Sequence, residues 1–370
     1  MTEHLVFGWR SAVLGVAAGQ MLFVAAALAG TAANRAANRC LAALLVVLAG
    51  VLVPDIIGFA GFYDAFPWLS FAPFACPLAV APLLYLYAVA LTEGYLPPRA
   101  AWHLAPGAVQ FVYQAISFCL PLGLKTRWDT VSTPVVAPVV TTVLVAGLLA
   151  YGVASLRLLR RYRAALADQR SDDDRFAARW LSRAVAALLV LLAAWVVYEG
   201  YDRMVAPLDY FSAVGLYLVI AVVGSFLAVE GWRHADRRFP PIAPAVAGLD
   251  PKPPRDWAAT MAEWHDRIAA GGWAADPELS LAGLARLLAT NTTTLSRAIN
   301  LGAGVNFSTY IARLRAEAVA ADLREGSDAD LLTLALDAGF GSKASFNRAF
   351  QARFGESPSA YRRRHGAKPA

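Results

Sequence analysis

The sequence predicts an all-α chain, a seven-helix transmembrane bundle followed by a double helix-turn-helix domain. Two observations carry this. Hydrophobic residues make up 58% of 370 and charged residues only 16%, with a mean hydropathy of +0.47, too apolar for an ordinary soluble chain. The C-terminal part differs: amphipathic helices alternate with short turns, and Lys343, Arg348, Arg353, Arg362, Arg363, Arg364 and Lys368 face only Glu356.

Crossing the hydrocarbon core takes about 20 apolar residues. Runs of that kind lie at 11–30, 40–60, 70–92, 104–123, 134–156, 184–204 and 209–230. Their connections alternate in charge. Arg35 and Arg39 follow the first run and Arg99 the third. Arg157, Arg160, Arg161, Arg163, Arg170, Arg175, Arg179 and Arg183 follow the fifth, and Arg233, Arg237 and Arg238 the seventh. Positive residues mark the cytoplasmic side, so the N-terminus is expected outside and the C-terminus inside, in a bacterial inner membrane. A cleaved signal peptide is the alternative for the first run; it would put Arg35 and Arg39 on the wrong face.

Pro73, Pro77 and Pro82 predict a kinked or broken third span. Ionisable and amide groups in spans are penalised by lipid and mark candidate signal-sensing residues: Asp55, Gln110, Gln114, Glu199 and Asp202. The competing reading is that they join helices to one another. Lys125, Lys252, Lys343 and Lys368 all lie outside the spans, which excludes a retinal Schiff base. Cys40, Cys76 and Cys119 stand singly and the histidines are scattered, so no metal, cofactor or catalytic residue is expected.

The membrane domain is expected over 1–238 and a Pro-rich linker over 239–256. A double helix-turn-helix domain follows over 257–364, with a tail at 365–370. Trp257 to Trp273 reads as a support helix, or alternatively a dimerisation helix. In the first unit Leu281, Leu284, Ala285 and Leu288 form an apolar face, and Asn291 caps a helix from Thr292. In the second, Leu331, Leu334 and Ala335 pack inward, Gly339 and Phe340 turn, and Ser342 caps a helix anchored by Phe346 and Phe350. Leu295-Ser296-Arg297-Ala298-Ile299 returns as Phe346-Asn347-Arg348-Ala349-Phe350, a duplicated reader helix. An amphipathic helix from Phe307 to Glu325 joins the two units.

Thr293, Ser296, Arg297, Ser345, Asn347 and Arg348 are left facing outward. Arginine can fork onto guanine and asparagine onto adenine, while Ser and Thr reach either. Lys343 and the Arg362-Arg363-Arg364 run suit phosphates, which give affinity rather than sequence choice.

These residues resemble the AraC/XylS-type DNA-binding domain from about Trp257 to Arg364, just under a third of the chain. The second unit carries the resemblance in Ala335, Gly339-Phe340, Ser342, Phe346, Arg348, Phe350, Phe354-Gly355, Ser357-Pro358 and Tyr361-Arg362. The first carries it in Leu295 to Arg315, with Gly304 and Phe307 in place; Ala303 and the Thr292–Thr294 run depart from it. The N-terminal part is similar to family members with an integral-membrane sensor. The resemblance implies a one-component transcriptional regulator that binds double-stranded promoter DNA and engages RNA polymerase. A homodimer is expected on repeated half-sites, responding to a small-molecule or membrane-borne cue. The alternatives are a transporter or membrane enzyme with an accessory DNA-binding domain, and an adaptor whose C-terminal half binds protein.

Overall fold

The computed structural model describes residues 5–205, 214–241 and 256–365, without the side chains of 199, 200 and 202–204. Most of the linker at 239–256 therefore lies outside the described residues. Helices and turns make up the described chain, with one isolated bridge between Arg170 and Ser280. Contacts divide it into two units, each described by itself. One comprises Met1–Leu159 and Ala178–Pro241; the other comprises Arg160–Ala177 and Ile242–Ala370.

The N-terminal unit contains α1 (Trp9–Gly30), α2 (Arg35–Phe59), α3 (Val80–Glu93) and α4 (Ala105–Phe118). It also contains most of α5 (Leu122–Gln169), α6 (Arg179–Met204) and α7 (Val214–Arg233). Among the described residues, five helices are long and apolar enough to cross a membrane by length and composition: Trp9–Gly30, Arg35–Phe59, Leu122–Gln169, Arg179–Tyr198 and Val214–Arg233. The expected third and fourth spans are shorter, at 14 residues each for α3 and α4. A 3-10 turn runs directly into each, Pro77–Ala79 into α3 and Ala100–Leu104 into α4, and with its turn the third run is helical over Pro77–Glu93, still short of the ~20 residues a crossing takes. Span-length apolar helices among the described residues therefore number five rather than seven.

Proline explains the third. Pro67 and Pro77 each open a single 3-10 turn, and regular helix resumes only at Val80. Pro82 is the third residue of α3, where its missing N–H leaves no intrahelical bond unmade. The broken stretch packs closely: a Cβ at Gly50 would collide with the Phe74 carbonyl, and one at Gly107 would lie 2.7 Å from Ala79 Cβ. The fifth expected span is part of a helix of 48 residues that carries Pro134 and Pro138 within it.

Helix α1 buries Leu14, Ala18, Met21, Ala25 and Leu28, alternately four and three residues apart, a seam suited to a neighbouring helix. Val16 and Phe23 on its other side are exposed. Gly224 and Gly231 let α7 approach Met21 and Leu41, where an added Cβ would overlap both side chains. Asn38 donates to the Ala235 carbonyl at 3.1 Å, and Asn34 donates to the Arg237 carbonyl, tying the start of α2 to the chain after α7.

The C-terminal unit contains α8 (Trp257–Ala270), α9 (Leu281–Leu287), α10 (Thr292–Arg297) and α11 (Phe307–Arg324). It ends with α12 (Leu331–Asp337), α13 (Lys343–Phe354) and α14 (Pro358–His365). Side chains of Asp256, Ser280, Asn291, Asn306, Asp330 and Ser342 accept the first free N–H groups of six of these helices. Each such cap stabilises its helix by about 1 kcal/mol. Two apolar cores result. Met261, Trp264 and Ile268 of α8 join Leu284, Leu295, Ile299, Phe307 and Ile311 in the first. Val319, Leu323, Leu334, Phe340, Phe346, Phe350 and Tyr361 belong to the second. Helix α11 contributes its N-terminal half to one and its C-terminal half to the other, so it holds the two units in register. Helix α8 is thus part of the first core.

Candidate nucleic-acid interface

Each candidate reader helix is set by a cap before it and an apolar anchor beneath it. Asn291 Oδ1 accepts the Thr294 N–H at 2.7 Å, and Leu295, Ala298 and Ile299 are fully buried. Thr293, Ser296 and Arg297 are half-buried along the rest of α10, and Ser296 Oγ accepts from Asn300 at 3.3 Å. The helix then widens into a π turn at Ala298–Gly302. Gly302 fits there because a Cβ would meet the Trp257 carbonyl.

In the second unit Gly339 turns with φ +93°, and Ser342 Oγ accepts the Ser345 N–H at 3.2 Å. Phe346 lies between Phe340 and Phe350, with ring centroids 5.4 and 5.5 Å away. That anchoring leaves Lys343, Asn347 and Arg348 exposed on α13, while Ser345 Oγ is occupied at the cap, donating to the Ser342 carbonyl at 2.8 Å. The repeat read in the sequence is thus a repeat of geometry, with buried Leu295 and Ile299 matched by Phe346 and Phe350.

The basic helix α14 divides its arginines. Arg362 donates to the Ala329 carbonyl, fastening α14 to the chain before α12. Arg364 pairs with Glu356 within the same turn region. Arg363 is exposed. Of the three arginine phosphate candidates on α14, Arg363 is therefore presented outward, while Arg362 is engaged in the fold and Arg364 with Glu356.

Arg315 was not singled out by the sequence. It sits on the apolar side of α11, four residues after Ile311, and is 3% exposed. Its Nε donates to the Ala274 carbonyl at 2.7 Å, and its Nη2 donates to the Asp276 carbonyl at 2.6 Å and to Ser171 Oγ at 3.0 Å. Burial pulls its pKa down to about 10, partly offset by Asp172 and Asp276, so it stays charged at neutral pH. The Tyr310 pKa is instead pushed up, by burial first and then by Glu317 and Asp266, and its hydroxyl lies 3.0 Å from His265 Nδ1.

The segment Arg160–Ala177 was also missed. Asp174 forms an ion pair with Arg348, and Asp173 accepts from Ser308 Oγ at 2.7 Å. The signal available was the run Asp172-Asp173-Asp174 in otherwise basic surroundings.

The candidate sensing residues separate. Gln110 Oε1 accepts the Leu78 N–H at 3.2 Å, and Gln114 Nε2 donates to the Ala75 carbonyl at 3.1 Å. Both amides thus satisfy backbone groups that the proline-broken stretch leaves without an α-helical partner. Asp55 is buried, at 4% exposure. It lies one turn from Val51, which helps line a cavity of about 450 Å3 with Leu48, Val140, Leu192, Trp195 and Tyr217. The side chains of Glu199 and Asp202 lie outside the described residues. Among the described residues, no three His, Cys, Asp or Glu gather as metal ligands.

Among known proteins, a family model described as a helix-turn-helix domain matches residues 284–364. The model is of the AraC type, and the match supports a DNA-binding, transcription-regulating role for this stretch. No curated protein and no solved structure matches the chain.

Proposed function

We propose that the chain is a membrane-anchored one-component transcriptional regulator. The observation that carries this reading is a pair of capped reader helices, each over its own apolar core, joined by α11 and attached to a chain with five span-length apolar helices. Helix α11 has 18 residues and a length of about 27 Å, on the scale of the ~34 Å between successive major-groove faces. Thr293, Ser296 and Arg297 on α10, and Asn347 and Arg348 on α13, read base edges in adjacent grooves. Lys343 and Arg363 neutralise phosphates. The alternation of basic connections supports an outside N-terminus and a cytoplasmic DNA-binding half. The seven apolar runs form the sensor, and the third is a broken span whose backbone Gln110 and Gln114 satisfy. The apolar wall of the cavity lined by Leu48 and Val51 favours an apolar, membrane-borne cue over a polar solute. Two copies on repeated half-sites gain affinity through effective concentration and recruit or block RNA polymerase.

The test uses full-length protein in lipid nanodiscs with a library of promoter fragments. A subset of fragments should be retained, with log affinity falling linearly in log salt. Arg348→Ala should relax the sequence preference at one position. Absence of retention of any fragment at low salt contradicts the reading.

A further inference from the structure

We propose that the segment Arg160–Ala177 is an intramolecular competitor of DNA that holds the second reader helix through Arg348 until a signal withdraws it. This rests on the DNA-binding reading and adds its regulation. The segment belongs by its contacts to the C-terminal unit, although in sequence it connects two apolar runs. Its backbone is docked: the Ser171 N–H donates to the Leu279 carbonyl at 3.1 Å, its hydroxyl donates to the same oxygen at 2.8 Å, and Arg170 bridges Ser280. The Ser171 hydroxyl also accepts from the buried Arg315, a charge-assisted bond.

This docking places three consecutive carboxylates. Asp172 is gripped by Arg170 through two bonds of 2.6 and 3.0 Å, which orients the turn. Asp173 accepts from Ser308 in the first turn of α11, where the helix dipole favours an anion. Asp174 reaches α13 and pairs with Arg348. A carboxylate offers a guanidinium two acceptor oxygens, as guanine offers O6 and N7 and as a phosphate offers its oxygens. Arg348 therefore binds either Asp174 or DNA. Helix α5 ends at Gln169, one residue before the docked stretch, so a shift at its end moves Arg170 and the acidic run with it. Only the DNA-free state is favoured by these contacts, which is the requirement for a ligand-shifted switch.

The experiment measures DNA affinity of full-length protein in nanodiscs. Wild type is compared with Asp174→Asn, with Asp173→Asn/Asp174→Asn, and with Asp236→Asn, which removes the same charge elsewhere. Asp174→Asn should bind about three- to five-fold more tightly than the Asp236→Asn control, the scale of one partly exposed ion pair. The double variant should gain more. In an Arg348→Ala background the gain from Asp174→Asn should vanish. If Asp174→Asn binds no more tightly than Asp236→Asn while wild-type binding still depends on Arg348, the competitor is overturned and the DNA reading stands. A gain that survives Arg348→Ala also overturns it, as a general charge effect. Failure of every variant to bind DNA at low salt overturns both.

Discussion

Replacing Gly339 with alanine should loosen the second helix-turn-helix unit by an amount the structure allows to be worked out. Gly339 has φ +93°, a region that L side chains rarely adopt, which costs about 1–2 kcal/mol for a residue with a Cβ. That Cβ would also stand 2.5 Å from the Ala275 carbonyl oxygen, 2.8 Å from its carbon and 3.0 Å from Arg315 Nε. None of these can yield easily, because the first two are backbone and Arg315 is fixed on the neighbouring Ala274 carbonyl at 2.7 Å. Overpacking of this kind adds about 1–3 kcal/mol, so the total is roughly 2–5 kcal/mol against a typical domain stability of about 5–15 kcal/mol. Hydrogen exchange of the amides of α13, read by mass spectrometry on the full-length protein, should accelerate by roughly thirty-fold to several thousand-fold, taking RT as about 0.59 kcal/mol. Gly341→Ala is the matched control. It lies two residues away, without positive φ, and its Cβ would meet nothing within 4 Å, so exchange there should change only a few-fold. Equal exchange in the two variants would refute the close-approach argument.

Other perturbations test separate parts of the account. Phe346→Ala removes the ring between Phe340 and Phe350 and should destabilise the second unit by about 3–5 kcal/mol in denaturant titration, with the first unit's core less affected. Arg315→Met leaves the Ala274 and Asp276 carbonyls without their charged donor and should cost on the order of 2–4 kcal/mol. Because the folded pKa of Arg315 is depressed only to about 10, it is protonated in both folded and unfolded chains below that value. Its own contribution should therefore be flat from pH 6 to 9, and stability should rise with pH through this group only above about 10, as checked by pH-dependent melting of wild type against Arg315→Met. Gln110→Leu removes the acceptor for the Leu78 N–H and should lower thermal stability in detergent by about 1–3 kcal/mol, whereas a sensing role alone would leave stability unchanged. Lys343→Ala should weaken all DNA sequences alike and reduce the salt slope by about 1.

The helical architecture of the C-terminal unit was legible because its signals are local. Asn291 and Ser342 as caps, Gly339 as the turn, and Leu295, Ile299, Phe346 and Phe350 as anchors are all set by spacing within a few residues. Spacing also placed the break near Pro73 and Pro77. It did not give the helix lengths on either side, because hydropathy runs through residues 70–79 while the backbone there leaves the helix. The role of Gln110 and Gln114 was read as either sensing or joining. Their partners, Leu78 and Ala75, lie more than thirty residues away and cannot be read from a helical face. Arg315 was hidden for the same reason, since its acceptors come from Ala274 and Asp276 across the fold. The docking of Asp173 and Asp174 on Ser308 and Arg348 spans well over one hundred residues, and no periodicity encodes it.

The most direct test of the central claim is to map the full-length protein on genomic DNA in membrane-intact cells by crosslinking and sequencing. Wild type should be compared with an Arg297→Ala/Arg348→Ala variant of equal abundance. The account predicts discrete peaks upstream of genes, sharing a repeated motif, that disappear in the variant. Peaks that persist unchanged in the variant, or an absence of discrete peaks both in wild type and in Asp174→Asn, would contradict it.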